Sequence, residues 1–202
     1  MNDTYELKSG NILQIIPDES GESPREWDNV GIMAAFHKRY TLGDKNLNFS
    51  DKDFDGWEEM GDHIIKNEDA IAILGLYLYD HGGITMSTGS FSDRWDSGQV
   101  GFIYTTQEIL TKNGISQGTS DGLLDDESEV DYTKRVTDYL ESEVKTYSQY
   151  LEGDIYGFKV IKREKCDLGE EHEIELDSCW GFYGSDPKTN GMMDHINEEL
   201  LN

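Results

Sequence analysis

Three groups of residues in this chain have types and spacings that could do chemistry. The first is Asp80-His81, followed by Gly82-Gly83 and then by Asp93, Asp96 and Ser97. A histidine oriented by a carboxylate is a general base, and it can activate a serine or cysteine within hydrogen-bond reach. Neighbouring strand residues point to opposite faces, so Asp80 cannot orient His81. Asp96, Ser97 and Cys179 are the candidate partners, which gives a small enzyme with its site at Asp80, His81 and the Ser90–Ser97 loop. The second group is Asp51-Lys-Asp-Phe-Asp-Gly56 with Asp62, which matches the calcium-loop template through Asp51, Asp53, Asp55 and Asp62. It departs from the template by ending on the shorter Asp, by carrying Glu58 where an apolar residue belongs, and by lacking an incoming amphipathic helix. The competing reading is an N-cap and an acidic first turn, for which calcium is irrelevant to stability.

The third group is acidic. Asp121, Asp125, Asp126, Glu127, Glu129 and Asp131 place six carboxylates in eleven residues with no base between them. Glu170, Glu171, Glu173 and Glu175, with Asp177, form a second run that projects partly to one face if extended. Both could face a basic partner, and each alone could equally be a solvated loop. The five histidines (37, 63, 81, 172, 195) show no HxH or HExxH zinc spacing, and no phosphate-cradling GxxxxGK[ST] occurs. No metal ligand set and no cofactor is expected from these patterns.

The elements that must position these groups read as follows. Residues 11–16, 30–39, 70–80, 84–88, 99–105, 155–162 and 174–182 have the Ile, Val and Tyr content of strands. Helices are expected over 53–66, 106–112, 127–152 and 190–201. In the longest, Val130, Val136, Tyr139, Leu140, Val144, Tyr147 and Leu151 recur at three- and four-residue steps and mark the face that packs on the sheet. Residues 164–173 read as an acidic connection between the last two strands. Gly82-Gly83 permits a tight turn, and Gly98 and Gly101 permit close backbone approach. Trp95 is expected to be largely buried over the sheet edge; Asp93, Asp96 and Ser97 can cap loop amides, with Asp96 or Ser97 expected to do so. Strands clustered without regular helical crossovers predict an α+β fold: a mostly antiparallel sheet packed on one long helix and two or three shorter ones. One globular domain over residues 1–202 is the default for this length.

Charge sets the function classes. The chain has 42 Asp and Glu against 17 Lys and Arg, a formal net charge of −25. That field repels nucleic-acid backbones and anionic membranes, so neither is an expected partner. Salt adaptation is disfavoured because 12 of the 17 basic residues are Lys. A single acidic tail is excluded because acids run from Asp3 to Glu199. An acidic globule remains, either merely soluble or shaped to attract a basic protein. A compact chain of this length has a radius of gyration of roughly 16–17 Å, hence a diameter of about 43 Å. That length of duplex DNA carries about 25 phosphates, so the protein's charge matches the duplex it would replace in a basic groove. The N-terminus shows no secretory signal, no apolar run is long enough to span a membrane, and Cys166 and Cys179 read as cytosolic thiols.

Several blocks carry a resemblance: Leu76-Tyr-Leu-Tyr-Asp-His-Gly-Gly-Ile-Thr-Met-Ser-Thr88, Phe91-Ser92 and Trp95-Asp-Ser-Gly-Gln-Val-Gly-Phe-Ile-Tyr104. With Asp28-Asn-Val-Gly31, His37-Lys-Arg-Tyr40, Tyr150-Leu-Glu-Gly-Asp-Ile-Tyr-Gly-Phe158 and Ser178-Cys-Trp-Gly-Phe-Tyr-Gly184, they resemble a family of uncharacterised phage and mobile-element proteins. The resemblance transfers no catalytic or binding residue. It implies a phage-type gene context and no more; the expected location is the host cytoplasm. Small acidic phage proteins often block host machinery, so the expected function is antagonism of a host nucleic-acid-binding defence complex, as a non-enzymatic mimic with a basic host protein as partner.

Overall fold

The computed structural model describes residues 3–117 and 127–201; Asp121, Asp125 and Asp126 lie outside the described residues. The elements run β1 (Asp3–Glu6), β2 (Ile12–Pro17), β3 (Ile32–Ala35), α1 (Trp57–Asn67), β4 (Ala70–Asp80), β5 (Ile84–Ser87), β6 (Ser97–Thr106), α2 (Gln107–Lys112), α3 (Glu129–Glu152), β7 (Ile155–Lys165), β8 (Glu171–Tyr183), α4 (Met192–His195) and α5 (Glu198–Leu201). Every strand pairing is antiparallel, and the fold is α+β. The chain divides into two compact units, Pro24–Leu151 and the flanking segments Met1–Ser23 with Glu152–Asn202. No helix among the described residues is long and apolar enough to cross a membrane.

The central unit is a sheet of order β3-β6-β4-β5 with helices on both faces. Strand alternation explains this: Met33 and Ala35 pack with Leu76, Leu78, Val100 and Ile103 against Leu140, Val144 and Tyr147 of α3. On the other face Ala34 and Tyr104 pack against Met60 and Ile64 of α1. The long helix lies on the sheet as its periodicity requires, but its inner stripe is Tyr132, Val136, Leu140, Val144 and Tyr147. Val130 and Tyr139, expected inside, are exposed, because the register that buries Leu140 and Val144 turns them outward. The sheet closes tightly where β6 passes β3: a Cβ at Gly101 would overlap the Ala34 carbonyl oxygen. Gly98 meets no such neighbour.

The flanking unit is a sheet of order β1-β2-β7-β8. Leu13, Ile15, Phe158, Val160 and Phe182 form its core with Met192 and Ile196 from the C-terminal segment. The expected closing helix is two short helices, because Ile196 is extended and the Asn197 side chain caps the Glu199 amide. Two further differences bear on function. The acidic stretch expected as a connection is the outer half of a long hairpin, with Arg163 opposite Glu173, Glu164 opposite His172 and Lys165 opposite Glu171. The helix expected from 53 starts at Trp57, after a 3-10 turn over Asp51–Asp53.

Candidate functional site

The Asp80–Ser97 corner of the central unit is built by the end of β4, the turn into β5 and the start of β6. At Gly82 φ is +76°, and the His81 amide closes the turn on the Gly83 carbonyl at 3.1 Å. The Asp80 amide donates to the Asp96 carbonyl at 2.8 Å, which fixes the loop end against β4. Asp80 and His81 then diverge, as strand alternation demands. The Asp80 carboxylate accepts from Arg39 and from the Tyr40 hydroxyl, the latter at 3.2 Å. His81 Nδ1 lies 2.8 Å from Asp96 Oδ2, with both side chains open to solvent. Asp96 is thus the partner that histidine takes.

The loop between the strands differs from expectation at Trp95, and of the three candidate caps it uses Asp93. Trp95 is 97% exposed and covers nothing. The capping residue is Asp93, whose Oδ1 accepts the amides of Trp95 at 2.8 Å and Asp96 at 3.3 Å. Asp96 therefore spends its carboxylate on His81, and the Ser97 hydroxyl donates to the Asp93 carbonyl. Among the described residues no hydrogen bond joins the Ser97 hydroxyl to His81. Cys179 lies on β8 of the flanking unit, with its thiol directed to the Trp180 carbonyl at 3.9 Å.

A cleft of about 310 Å³ opens at this corner, lined among others by His37, Arg39, Asp80, Trp95, Asp96 and Ser97. Its rim is aromatic and cationic: His37 stacks on Tyr40 at 4.9 Å, and Arg39 lies 5.4 Å from the Tyr40 ring. Tyr79 contacts both His81 and Phe91. Chemically the corner offers a solvent-facing imidazole with an oriented ring and a side chain set typical of binding hot spots.

The acidic runs are less free than their sequence implies. Glu127 is nearly fully buried against Arg135, whose guanidinium it holds at 2.7 Å through both carboxylate oxygens. That hydrogen bonding raises the Arg135 pKa, against the opposing effect of burial. Asp131 accepts from the Ser128 hydroxyl while the Ser128 oxygen accepts the Asp131 amide, a cap on the first turn of α3. Glu129 is exposed. In the second run Glu175 meets Lys159 at 2.8 Å, Glu173 meets Arg163 at 3.0 Å and Glu171 meets Lys165 at 3.5 Å. Lys159, then the Ser178 hydroxyl, holds the Glu175 carboxyl below its usual range. This face is a ladder of alternating charge rather than an anionic strip. Glu170 sits at the hairpin tip, outside the ladder.

The calcium-type segment is also engaged internally. Asp53 accepts from the Ser50 amide and hydroxyl at 2.7 and 3.0 Å, the Asp55 amide donates to Glu59, and Asp62 pairs with Lys66 one turn along α1. Asp51, Asp53, Asp55 and Asp62 do not converge as a ligand set. The N-cap reading describes this turn.

One charged cluster had no sequence signature. Arg25 is buried beside Asp44 at 2.8 Å and Glu143 at 2.9 Å, and also donates to the Gly31 carbonyl. Both carboxylates accept backbone amides as well, Asp44 from Met33 and Glu143 from Val30 and Gly31. Burial opposes the Arg25 charge, but Asp44 and then Glu143 outweigh it and raise its pKa. The members lie 19 and 118 residues from Arg25, so no local pattern could announce them. Comparison with protein-family models, with curated proteins and with solved structures found no match.

Proposed function

We propose that this chain is a non-enzymatic antagonist of a host nucleic-acid-binding defence complex of the restriction or CRISPR kind, presenting its acidic surface to a basic groove. The observation that supports this reading is how the positive charge is spent. Ten of the 17 basic side chains are held in ion pairs with carboxylates among the described residues. A partner therefore meets an anionic excess with few free cations to screen it, which favours fast, salt-sensitive association. The β7–β8 ladder is a poor docking face because its charges are already matched. Exposed acids outside it are better placed: Asp51, Asp55 and Glu58 around the start of α1, and Glu129 on α3. Trp95 and the rim at Arg39 and Tyr40 would add anchors of the types that dominate interfaces.

The test is capture of basic proteins from host lysate at low and high salt. Capture should fall steeply with salt and should weaken in Asp51→Lys/Asp55→Lys and in Asp125→Lys/Asp126→Lys. Unchanged capture in both reversals at low salt would assign the acidity to solubility alone. A hydrolytic corner is the second reading, carried by the 2.8 Å contact of His81 and Asp96. Turnover of generic ester or phosphodiester substrates, lost in His81→Gln, would establish it instead.

A further inference from the structure

The β7–β8 hairpin has two chemically different faces. Its register pairs Arg163 with Glu173 and Lys165 with Glu171, and those odd-numbered residues form cross-strand ion pairs, while Lys162 pairs with Glu164 along β7. Successive strand residues alternate in direction, so Glu164, Cys166, Glu170 and His172 belong to the opposite face. The tip fixes that arrangement. The Gly169 amide donates to the Cys166 carbonyl at 2.8 Å, and the Cys166 amide donates to the Glu170 carbonyl at 2.9 Å. Gly169 has φ of +82°, the left-handed conformation that lets a three-residue connection return the chain in register. Cys166 and Glu170 therefore face each other across the tip, and His172 follows Glu170 on the same side of β8.

Among the described residues this is the place where three potential metal ligands gather: the Cys166 thiol, a Glu170 carboxylate oxygen and a His172 ring nitrogen all lie within 4.8 Å of one another. We propose that the hairpin tip is a binding site for a borderline-soft divalent ion, zinc by preference. The donor set carries the choice of metal. One thiolate, one imidazole and one carboxylate suit zinc, whereas calcium and magnesium take oxygen ligands throughout. Zinc–ligand bonds of roughly 2.0–2.3 Å in a tetrahedron place donors about 3.3–3.7 Å apart, so the side chains close by about 1 Å. Glu170 and His172 are exposed, and rotation about their side-chain bonds covers that distance. Asp167 in the connection adds negative charge near the tip, while Glu164, opposite His172, is paired with Lys162 at 2.6 Å. Three protein ligands leave a fourth position for water or for a group from a partner. The site stands independently of the antagonist reading.

Cobalt(II) titration of the full chain tests the site, because a cobalt–thiolate bond has a near-ultraviolet charge-transfer band and tetrahedral cobalt has strong visible bands. The wild type should give saturable bands at one ion per chain, displaced by zinc(II). Cys166→Ser should lose the charge-transfer band, His172→Ala and Glu170→Gln should weaken binding, and Cys179→Ser should retain the wild-type spectrum. Circular dichroism should show all four variants folded; a variant that unfolds is replaced by Cys166→Ala or His172→Gln. Absence of a saturable band in the wild type would overturn the proposal, as would a band that survives Cys166→Ser. Indifference to both His172→Ala and Glu170→Gln would reduce it to binding at a single thiol and overturn it too.

Discussion

Two of the ion-pair systems among the described residues use the same kinds of side chain to different effect. In the central unit Arg25 holds Asp44 and Glu143 with its side chain 5% exposed. In the flanking unit Arg163 and Glu173 form the same kind of pair with about half of each side chain in water. Water screens the second pair and solvates either partner left alone, so its net value is small. The first has no such reserve. Two carboxylates share one guanidinium, and the backbone amides of Val30, Gly31 and Met33 supply the rest of their hydrogen bonding. Removing the cation there strands two largely buried anions. Burial, not residue type, decides what a charge is worth.

The sharpest way to break the comparison is Arg25→Met. It should destabilise the central unit by about 3–5 kcal/mol, the cost of removing one partner from a buried pair. Chemical denaturation measures this; a loss under about 1 kcal/mol would make the triad equivalent to an exposed pair.

The same contrast explains what was legible in the sequence. Strands β4 and β6 and helix α3 were readable because each buries a periodic apolar face. The α+β class and the one long helix on a sheet follow from them. The outer hairpin was not readable: Lys162-Arg-Glu-Lys165 and Glu170-Glu-His-Glu173 have no apolar alternation, and their pairing rests on cross-strand charge and on the inner half of β7. Trp95 misled because a tryptophan between strands usually finds cover, whereas here Asp93 orders the loop through its carboxylate and the ring is left outside. His81 and Asp96 were candidate partners and are partners. Glu127 and Asp131 looked like surface acids because their use by Arg135 and by the helix cap is visible only in three dimensions.

Tyrosine extends the comparison to pH. Burial, then the nearby Glu68 and Asp44 charges, pushes the Tyr104 hydroxyl up to about 12 from its usual value near 10. Its folded-state value lies above the unfolded one, so the associated stability is fully present below about pH 10 and is lost as pH rises towards about 12. The loss should be on the order of 2–3 kcal/mol. Tyr104→Phe should flatten that decline in denaturation curves more than Tyr5→Phe, because the Tyr5 hydroxyl, raised by the Asp3 charge, stands in water on β1 where that charge is screened. An unaltered slope in Tyr104→Phe would assign alkaline unfolding to other groups.

A smaller effect in the opposite direction is expected at Thr105. Its hydroxyl is fully buried on β6 and has no hydrogen-bond partner among the described residues. An unsatisfied buried polar group costs on the order of 1–3 kcal/mol, and valine has nearly the same shape without it. Thr105→Val should therefore raise stability by about 1 kcal/mol. A decrease would mean that the hydroxyl finds a partner, most simply a bound water.

The smallest expected effect is the most telling for function. Replacing both Arg163 and Lys165 by Gln removes two ladder cations, and the loss of exposed pairs should cost less than about 1 kcal/mol in total. It also frees Glu171 and Glu173, so the hairpin turns from a charge-matched surface into an anionic one. If the docking acids lie elsewhere, as the matched ladder implies, capture of basic host proteins should change far less than in Asp51→Lys/Asp55→Lys. A marked gain in capture would move the docking face to this hairpin. The substitutions lie on the face opposite Cys166, Glu170 and His172, so cobalt binding should persist in the same variant. Loss of the cobalt bands would mean that the ladder also sets the geometry of the tip.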